Sequence, residues 1–189
     1  MEGIEKFLAY LELRQQGLRP QALAVLDQFL TDTDPWPATK RREFVMLLRE
    51  VQVAFPQASH LNPQPLRTRL VTPTLNDWQK EAPHDPMPWR LKGDFQSLKQ
   101  AVTLAPNDLE SLARLAALLL TDLRAAFHEL PCGIVGSASK LLAETEEYER
   151  LSAATSDPEI RALLAELNRC KIILREFLGQ KQPTGRWTT

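Results

Sequence analysis

Side chains that could hold a metal ion do not cluster in this sequence. The three histidines, His60, His84 and His128, are scattered along the chain. The segment His128-Glu-Leu-Pro-Cys132 partly matches the zinc-protease motif, in which two histidines lie four residues apart on one helix face. Here Pro131 ends the helix and the fifth residue is a cysteine. We therefore predict no metal site, no cofactor and no catalytic residue.

Within residues 56–88, the titratable side chains that lie close together in sequence are Asp77, Glu81, His84 and Asp85. An enzyme needs several such groups converging on a pocket. Here the pocket would have to form under the loops expected between residues 56 and 88. An enzyme or small-molecule binder with that pocket is therefore kept as an alternative, but the sequence favours a protein without catalytic activity.

The tryptophans are the strongest candidates for binding, because Trp combines a large contact area with a polar N–H group. Trp78 and Trp89 lie near proline-rich breaks, where restricted loops lose less entropy on binding. Arg114 and Arg124, on a later helix, would add polar contacts. We predict that these four residues bind a partner. The alternative is that the tryptophans hold loops against the helices, and the binding surface is then the acidic segment 144–149.

Composition predicts a soluble helical protein. The chain has 189 residues, of which 43% are hydrophobic and 25% charged, and its net charge of -1 gives no reason to expect binding to nucleic acid or an anionic membrane. The N-terminus has no signal-peptide pattern, and the longest apolar run, Leu115 to Leu120, is too short to cross a bilayer. Two cysteines, Cys132 and Cys170, make no disulfide framework. We predict a cytoplasmic location.

Helical periodicity and turn residues divide the first half of the chain. Apolar residues recur at helical spacing in 3–16, a second helix begins around Pro20, and a third spans 38–55. Gly17 is expected to end the first helix in a left-handed conformation. The many prolines of 56–73 predict a long loop there. A short helix over 74–82 and a break at 83–88 follow.

The second half is also predicted to be helical. Trp89–Ala105 forms a helix that Gly93-Asp94 could interrupt, and a capping box at Asn107–Glu110 opens a central buried helix that runs to about Glu129. Further helices are predicted from Ser137 to about Ala153, and from Ser156-Asp-Pro-Glu159 until Gly179. We find no convincing strand.

Part of this pattern resembles the tetratricopeptide repeat, a helix hairpin of about 34 residues. The segment from Gly93 through Ala101 to Leu104-Ala-Pro-Asn-Asp108 is similar to the second helix of such a repeat, although it is about one turn short. Leu112, Leu115 and Ala116 fall where the next first helix packs, and Gly17 with Ala22 resembles the turn of an earlier repeat. Residues 32–88 do not match the pattern.

The resemblance implies stacked antiparallel hairpins whose first helices line a concave groove for peptides or other proteins. Some family members hold a C-terminal carboxylate with lysine and asparagine side chains. The comparable positions here, Glu110, Ala113, Arg114 and Ala117, lack that set, so a ligand of this kind is not expected.

We therefore predict an all-α fold of antiparallel helix hairpins, stacked as a tetratricopeptide-like right-handed array or as an irregular helical bundle. Residues 1–179 are predicted to form one domain, divided into 1–55, 56–88 and 89–179, and 180–189 a flexible tail. The predicted function is non-catalytic binding of another protein or peptide. A small regulatory or immunity-type protein that masks one partner is an alternative, and self-association is left open.

Overall fold

A computed structural model describes residues 3–55, 57–130 and 133–180 of the chain. Their regular structure consists of helices alone, with no strand among these residues, which confirms the prediction of an all-α fold. Trp187, Cys132 and the predicted tail from 181 onward lie outside the described residues. The helices divide into two compact units, the first ending at Lys92 and the second beginning at Gly93.

The first unit opens with three helices in the predicted places. They are α1 (Glu5–Gln15), α2 (Arg19–Thr33) and α3 (Ala38–Ala54). Gly17 has a φ of +78°, the left-handed conformation expected at a helix C-terminus. Pro20 lies in the first turn of α2, where its missing N–H costs nothing. Because the connection between α1 and α2 is so short, the two helices form a hairpin.

The prediction of a long loop over 56–73 is wrong for residues 64–73, which are helical, whereas 57–63 contain only a short 3-10 helix. A short 3-10 helix (Ser59–Leu61) is followed by an uninterrupted helical segment made of α4 (Gln64–Leu66), a π-helical turn (Arg67–Val71) and α5 (Thr72–Glu81). Pro65 is in the first turn of this segment, where proline is tolerated.

The π-helical turn explains how Pro73 fits into that helical segment. Proline has no N–H for the usual helical bond and its ring clashes with the carbonyl four residues earlier. Directly before Pro73, the N–H of Thr72 donates to the carbonyl of Arg67, five residues back. The helix is therefore already widened where the proline enters, and neither Pro65 nor Pro73 prevents helix formation.

The core of the first unit is rich in aromatic residues. The rings of Phe7, Phe29, Trp36 and Phe44 pack with centroid separations of 5.3 to 6.0 Å, a range in which tilted and edge-to-face pairs are favourable. Buried leucines of α2, α4 and the following turn complete the core. The unit ends with the short helix α6 (Met87–Lys92).

The described part of the second unit contains four α-helices. They are α7 (Phe95–Leu104), α8 (Leu109–Ala126), α9 (Ala138–Ser152) and α10 (Pro158–Gln180), with a 3-10 turn (Phe127–Glu129) after α8. The predicted interruption at Gly93-Asp94 is present, since Gly93 has a φ of +74° and Asp94 caps α7. The buried face of α8 is almost continuous and forms the centre of this unit's core, as predicted.

Three predicted helix ends are off by one or more residues. Asp108, not Asn107, caps α8, because its carboxylate accepts the backbone N–H of Ser111 at 3.2 Å and the Ser111 hydroxyl at 2.6 Å. Asp157, not Ser156, caps α10 by accepting the N–H groups of Glu159 and Ile160 at 3.0 and 3.1 Å. Gly179 does not end α10, which continues to Gln180.

The division into two units places a boundary within the residues that were predicted to form one domain. Each unit has its own cluster of buried apolar side chains. The expected subdivision at residues 88 and 89 falls four residues before the observed one. The single domain and the tetratricopeptide-like stacking both stay predictions.

Candidate functional site

An open apolar groove lies between α1 and α3 of the first unit. It encloses a cavity of about 120 Å³. Among the described residues, all of its lining side chains are apolar: Ile4, Phe7, Leu8, Leu11, Phe44, Leu47, Leu48, Val51 and Leu61. A cavity of this composition offers no hydrogen-bonding group to a ligand, so its chemistry is the burial of apolar surface.

The groove has a fixed floor and two exposed edges. Phe7 and Phe44 meet at its base in an edge-to-face contact with ring centroids 5.4 Å apart, and both are buried. Leu8 on α1 and Leu47 on α3 form the edges, with 49% and 36% of their surface exposed. Large exposed apolar side chains beside an apolar cavity are typical of an interaction surface.

Each exposed leucine lies between two glutamates on the same helix. Glu5 and Glu12 are one turn before and one turn after Leu8, and Glu43 and Glu50 have the same relation to Leu47. All four glutamates are exposed. None of them makes an ion pair or a side-chain hydrogen bond with the rest of the described chain. Both edges of the groove are therefore acidic.

The acidic segment 144–149, by contrast, is neutralised by neighbouring cations. Glu146 bonds to Arg175 at 2.6 Å and Glu147 to Lys99 at 2.7 Å. Glu149 pairs with Lys171, and Glu144 lies 3.6 Å from Lys140. The side chains of this segment are therefore already engaged within the second unit.

The predicted binding residues fall into both units. Trp78 is buried in the first unit, where its Nε1–H donates to Asp85 at 2.9 Å and the Arg42 guanidinium lies 5.2 Å from its ring centroid. Trp89 is half-buried, and its indole N–H has no hydrogen-bond partner among the described residues.

The two predicted arginines belong to α8 of the second unit. Arg114 is half-buried, with its guanidinium 3.5 Å from Glu110. Arg124 is exposed and donates to Glu166 at 2.8 Å. Neither the arginines nor the tryptophans line the groove between α1 and α3. That they bind a partner stays a prediction.

A second, polar cavity lies between α3 and α5. It measures about 50 Å³, which is room for a few water molecules. Arg41, Arg42, Thr74, Asp77 and Glu81 line it, and Arg42 pairs with Glu81. Asp77 and Glu81 are two of the four grouped titratable residues from the sequence, whereas Asp85 is engaged by Trp78 and by the N–H of Met87. An organic substrate of ordinary size does not fit this cavity.

Two buried groups in the second unit have altered acidity. Tyr148 is fully buried, its hydroxyl has no hydrogen-bond partner in the part of the chain that the structure describes, and this burial raises its pKa to about 12. Burial, together with the nearby carboxylate of Glu166, also raises the pKa of the half-buried Cys170 thiol. A thiol with a raised pKa is a poor nucleophile, so neither group points to catalysis.

Comparison with protein-family models, curated proteins and solved structures gives no match for this chain. The described residues contain no group of three or more His, Cys, Asp or Glu side chains placed to hold a metal ion. No helix in the described part of the chain is long and apolar enough to cross a membrane. Any functional interpretation therefore depends on the groove's own geometry.

The sequence contained part of the signal for the groove. Its helical periodicity places the apolar residues of α1 and α3 on one face of each helix, but does not show whether a neighbouring helix covers that face. Leu8 and Leu47 each extend the apolar stripe of their helix by one position toward the flanking glutamates. The sequence signal for the groove was therefore an apolar stripe that is too wide for one neighbouring helix to cover. Whether part of that stripe stays exposed depends on how α1 and α3 pack against each other.

Proposed function

We propose that this protein is a non-catalytic binding module that takes the apolar face of a partner protein into the groove between α1 and α3. The observation that carries the proposal is an apolar cavity of about 120 Å³ edged by two exposed leucines. Covering those leucines would remove apolar surface from water, which contributes roughly 25 cal/mol for each Å² buried.

The ordered floor of the groove supports the interpretation that it is a binding surface rather than a gap left by poor packing. Phe7, Phe44, Leu48 and Leu61 are buried and fixed by the core of the first unit. A partner would therefore meet a floor that is already ordered, and binding to a preorganised surface loses less conformational entropy. Only the edge side chains would have to adjust.

The resemblance to tetratricopeptide repeats agrees with this site. In that family, peptides and proteins bind in a groove lined by the first helix of each hairpin. Here α1 is the first helix of the α1–α2 hairpin, and α3 is the helix that follows the hairpin. The groove lies between these two helices, so its α1 side corresponds to the family's binding surface, whereas α3 lies within residues 32–88, which do not match the repeat pattern.

Substitution of Leu8 tests the proposal, with Leu23 as a matched control. Both are leucines on helices of the first unit, and they are 49% and 48% exposed. Leu8 lines the groove and Leu23 does not. An aspartate at either position should disturb folding equally little, because surface substitutions rarely change stability by more than about 0.5 kcal/mol.

The measurement is affinity purification from the native host with the unsubstituted protein, Leu8→Asp and Leu23→Asp, followed by quantitative mass spectrometry. We expect a partner that the unsubstituted protein and Leu23→Asp both retain and that Leu8→Asp loses by tenfold or more, since a buried charge in an apolar site is strongly unfavourable. Partners retained equally by both variants would show that the groove is not the binding site.

A further inference from the structure

We propose that the segment this groove binds is a basic amphipathic helix of the partner, with lysine or arginine on both sides of its apolar face. This inference rests on the proposed function, because it specifies the chemistry of the ligand for the same groove. Three observations carry it: the apolar lining, the length of the lined rows, and the unpaired glutamates on both edges.

The apolar lining favours a helix over an extended peptide. An extended strand would present its backbone N–H and C=O groups to a cavity that no polar side chain of the described residues lines. Leaving such groups buried without partners is costly. A helix satisfies its backbone groups internally and presents only side chains, which is how amphipathic helices bind apolar grooves.

The length of the groove fits about two turns of helix. The lining residues extend from Ile4 to Leu11 on α1 and from Phe44 to Val51 on α3. Each row therefore runs for roughly 10 Å along its helix axis, at 1.5 Å per residue. A partner helix with apolar residues at i, i+3 or i+4 and i+7 covers that distance.

The negative charge of the groove edges indicates which side chains should flank the apolar face of the partner helix. The carboxylates of Glu5, Glu12, Glu43 and Glu50 are exposed and unpaired among the described residues. The lysines of these two helices are already engaged: Lys6 pairs with Asp32 at 2.6 Å, and the Lys40 ammonium lies 4.3 Å from the Trp36 ring centroid. Cationic side chains on both flanks of the partner would therefore meet complementary charge.

A second copy of this chain is a poorer occupant. If two grooves faced each other in a symmetric dimer, the same acidic edges would meet across the interface. Like charges brought together at an interface are unfavourable and act against that partner. The acidic edges therefore disfavour self-association through the groove and favour a cationic ligand.

A pair of synthetic peptides tests this inference. The first is a fluorescein-labelled peptide of about 15 residues with leucine at i, i+3, i+4 and i+7 and lysine at the flanking positions. The second is identical except that glutamate replaces every lysine. Dissociation constants for the full-length protein are measured by fluorescence anisotropy at low and at high salt.

We expect the lysine peptide to bind more tightly at low salt, roughly tenfold or more, as the combined effect of several exposed ion pairs. High salt should reduce the difference, because exposed charges are screened. The combined variant Glu5→Gln, Glu12→Gln, Glu43→Gln and Glu50→Gln should lose most of it. Leu8→Asp should weaken binding of the lysine peptide, and Leu23→Asp should not.

A second combined variant controls for overall charge. Glu110→Gln, Asp122→Asn, Glu159→Gln and Glu176→Gln removes the same number of exposed carboxylates from the second unit and should preserve the preference for lysine. Failure of the lysine peptide to bind, or an equal loss in both combined variants, would overturn the inference. Equal binding of both peptides that still requires Leu8 would overturn the basic partner and leave the proposed function standing.

Discussion

At the scale of single residues, the two tyrosines show how a hydroxyl depends on its surroundings. The Tyr10 hydroxyl donates to the carbonyl of His60 at 2.7 Å and links α1 to the short 3-10 helix. The Tyr148 hydroxyl is buried in the second unit, and none of the described residues is its hydrogen-bond partner. A partnered hydroxyl contributes about 1 kcal/mol, whereas a buried unpartnered one has lost its hydration without compensation.

Phenylalanine substitutions should therefore have opposite effects at these two positions. We expect Tyr10→Phe to lower the free energy of unfolding by about 1 kcal/mol. Tyr148→Phe should leave it unchanged or raise it by up to about 1 kcal/mol, since the substitution removes only the unpartnered oxygen. Urea denaturation followed by far-UV circular dichroism measures both, and a clear loss for Tyr148→Phe would contradict the unpartnered hydroxyl.

Alkaline pH provides a second measurement on Tyr148. Burial raises its pKa to about 12 in the folded protein, whereas the ordinary value of about 10 applies in the unfolded chain. Between these two pKa values, the folded state therefore keeps the Tyr148 proton that the unfolded state has lost. The stability associated with this group is complete below pH 10 and falls as the pH rises toward 12. Tyr148→Phe should remove that part of the pH dependence.

At the scale of secondary structure, the start of α8 shows a limit of sequence interpretation. Two neighbouring residues with similar capping propensity leave the exact first residue of the helix undecided. Asn107 and Asp108 are both good capping residues, and the capping-box pattern predicts the first. The structure selects Asp108, whose carboxylate satisfies two donors of Ser111 and is buried. The choice depends on where the chain turns after α7, which the sequence does not specify to one residue.

Alanine substitutions at these neighbouring positions should separate the two capping assignments. We expect Asp108→Ala to lower the free energy of unfolding by about 1 to 2 kcal/mol, because the first turn of α8 loses its side-chain acceptor. Asn107→Ala, at an exposed position, should change it by no more than about 0.5 kcal/mol. The same urea titration measures both. A larger effect at Asn107 than at Asp108 would restore the cap predicted from sequence.

The proline-rich segment shows a different limit of sequence interpretation. Prolines normally exclude a helix interior, which made 56–73 look like a loop. Pro65 falls in a first turn, and the π-helical turn before Pro73 absorbs the lost backbone bond. Leu66, Leu70 and Leu75 on this segment are buried in the first unit's core. Tertiary packing of those leucines stabilises a helix that local propensity alone disfavours.

At the scale of the whole molecule, binding in the groove should stabilise the unit that forms it. A ligand that binds only the folded state, at 100 times its dissociation constant, raises the free energy of unfolding by about 2.7 kcal/mol. For a unit of this size, that corresponds to roughly 10 °C or more in the melting midpoint. We expect this increase when the lysine peptide is added to the full-length protein.

Tryptophan fluorescence measures the thermal unfolding of the first unit, which forms the groove. Trp36, Trp78 and Trp89 all belong to the first unit, and replacing Trp187 with Phe confines the signal to them. The matched control is Leu8→Asp in the same background, which should show little or no increase with the peptide. An increase of equal size in both proteins would place the peptide outside the groove.

The sequence by itself determined the helical class, most of the helix positions and the identity of the apolar residues. These features depend on local chemistry: periodicity of side chains, glycine at positive φ, and capping side chains act over a few residues. The sequence also supplied the residues of the groove, including Leu8 and Leu47 with their flanking glutamates, although it did not distinguish them from the core.

Only the tertiary structure decided where the chain divides into units, how the proline-rich segment folds and which apolar surface stays open. A leucine on a helix face has the same local pattern whether a neighbour covers it or not. Leu26 on α2 is fully buried and Leu8 on α1 is half exposed because burial depends on which helices meet, through contacts between residues far apart in sequence. Such contacts have no local signature, so the groove becomes visible only when α1 and α3 are placed side by side.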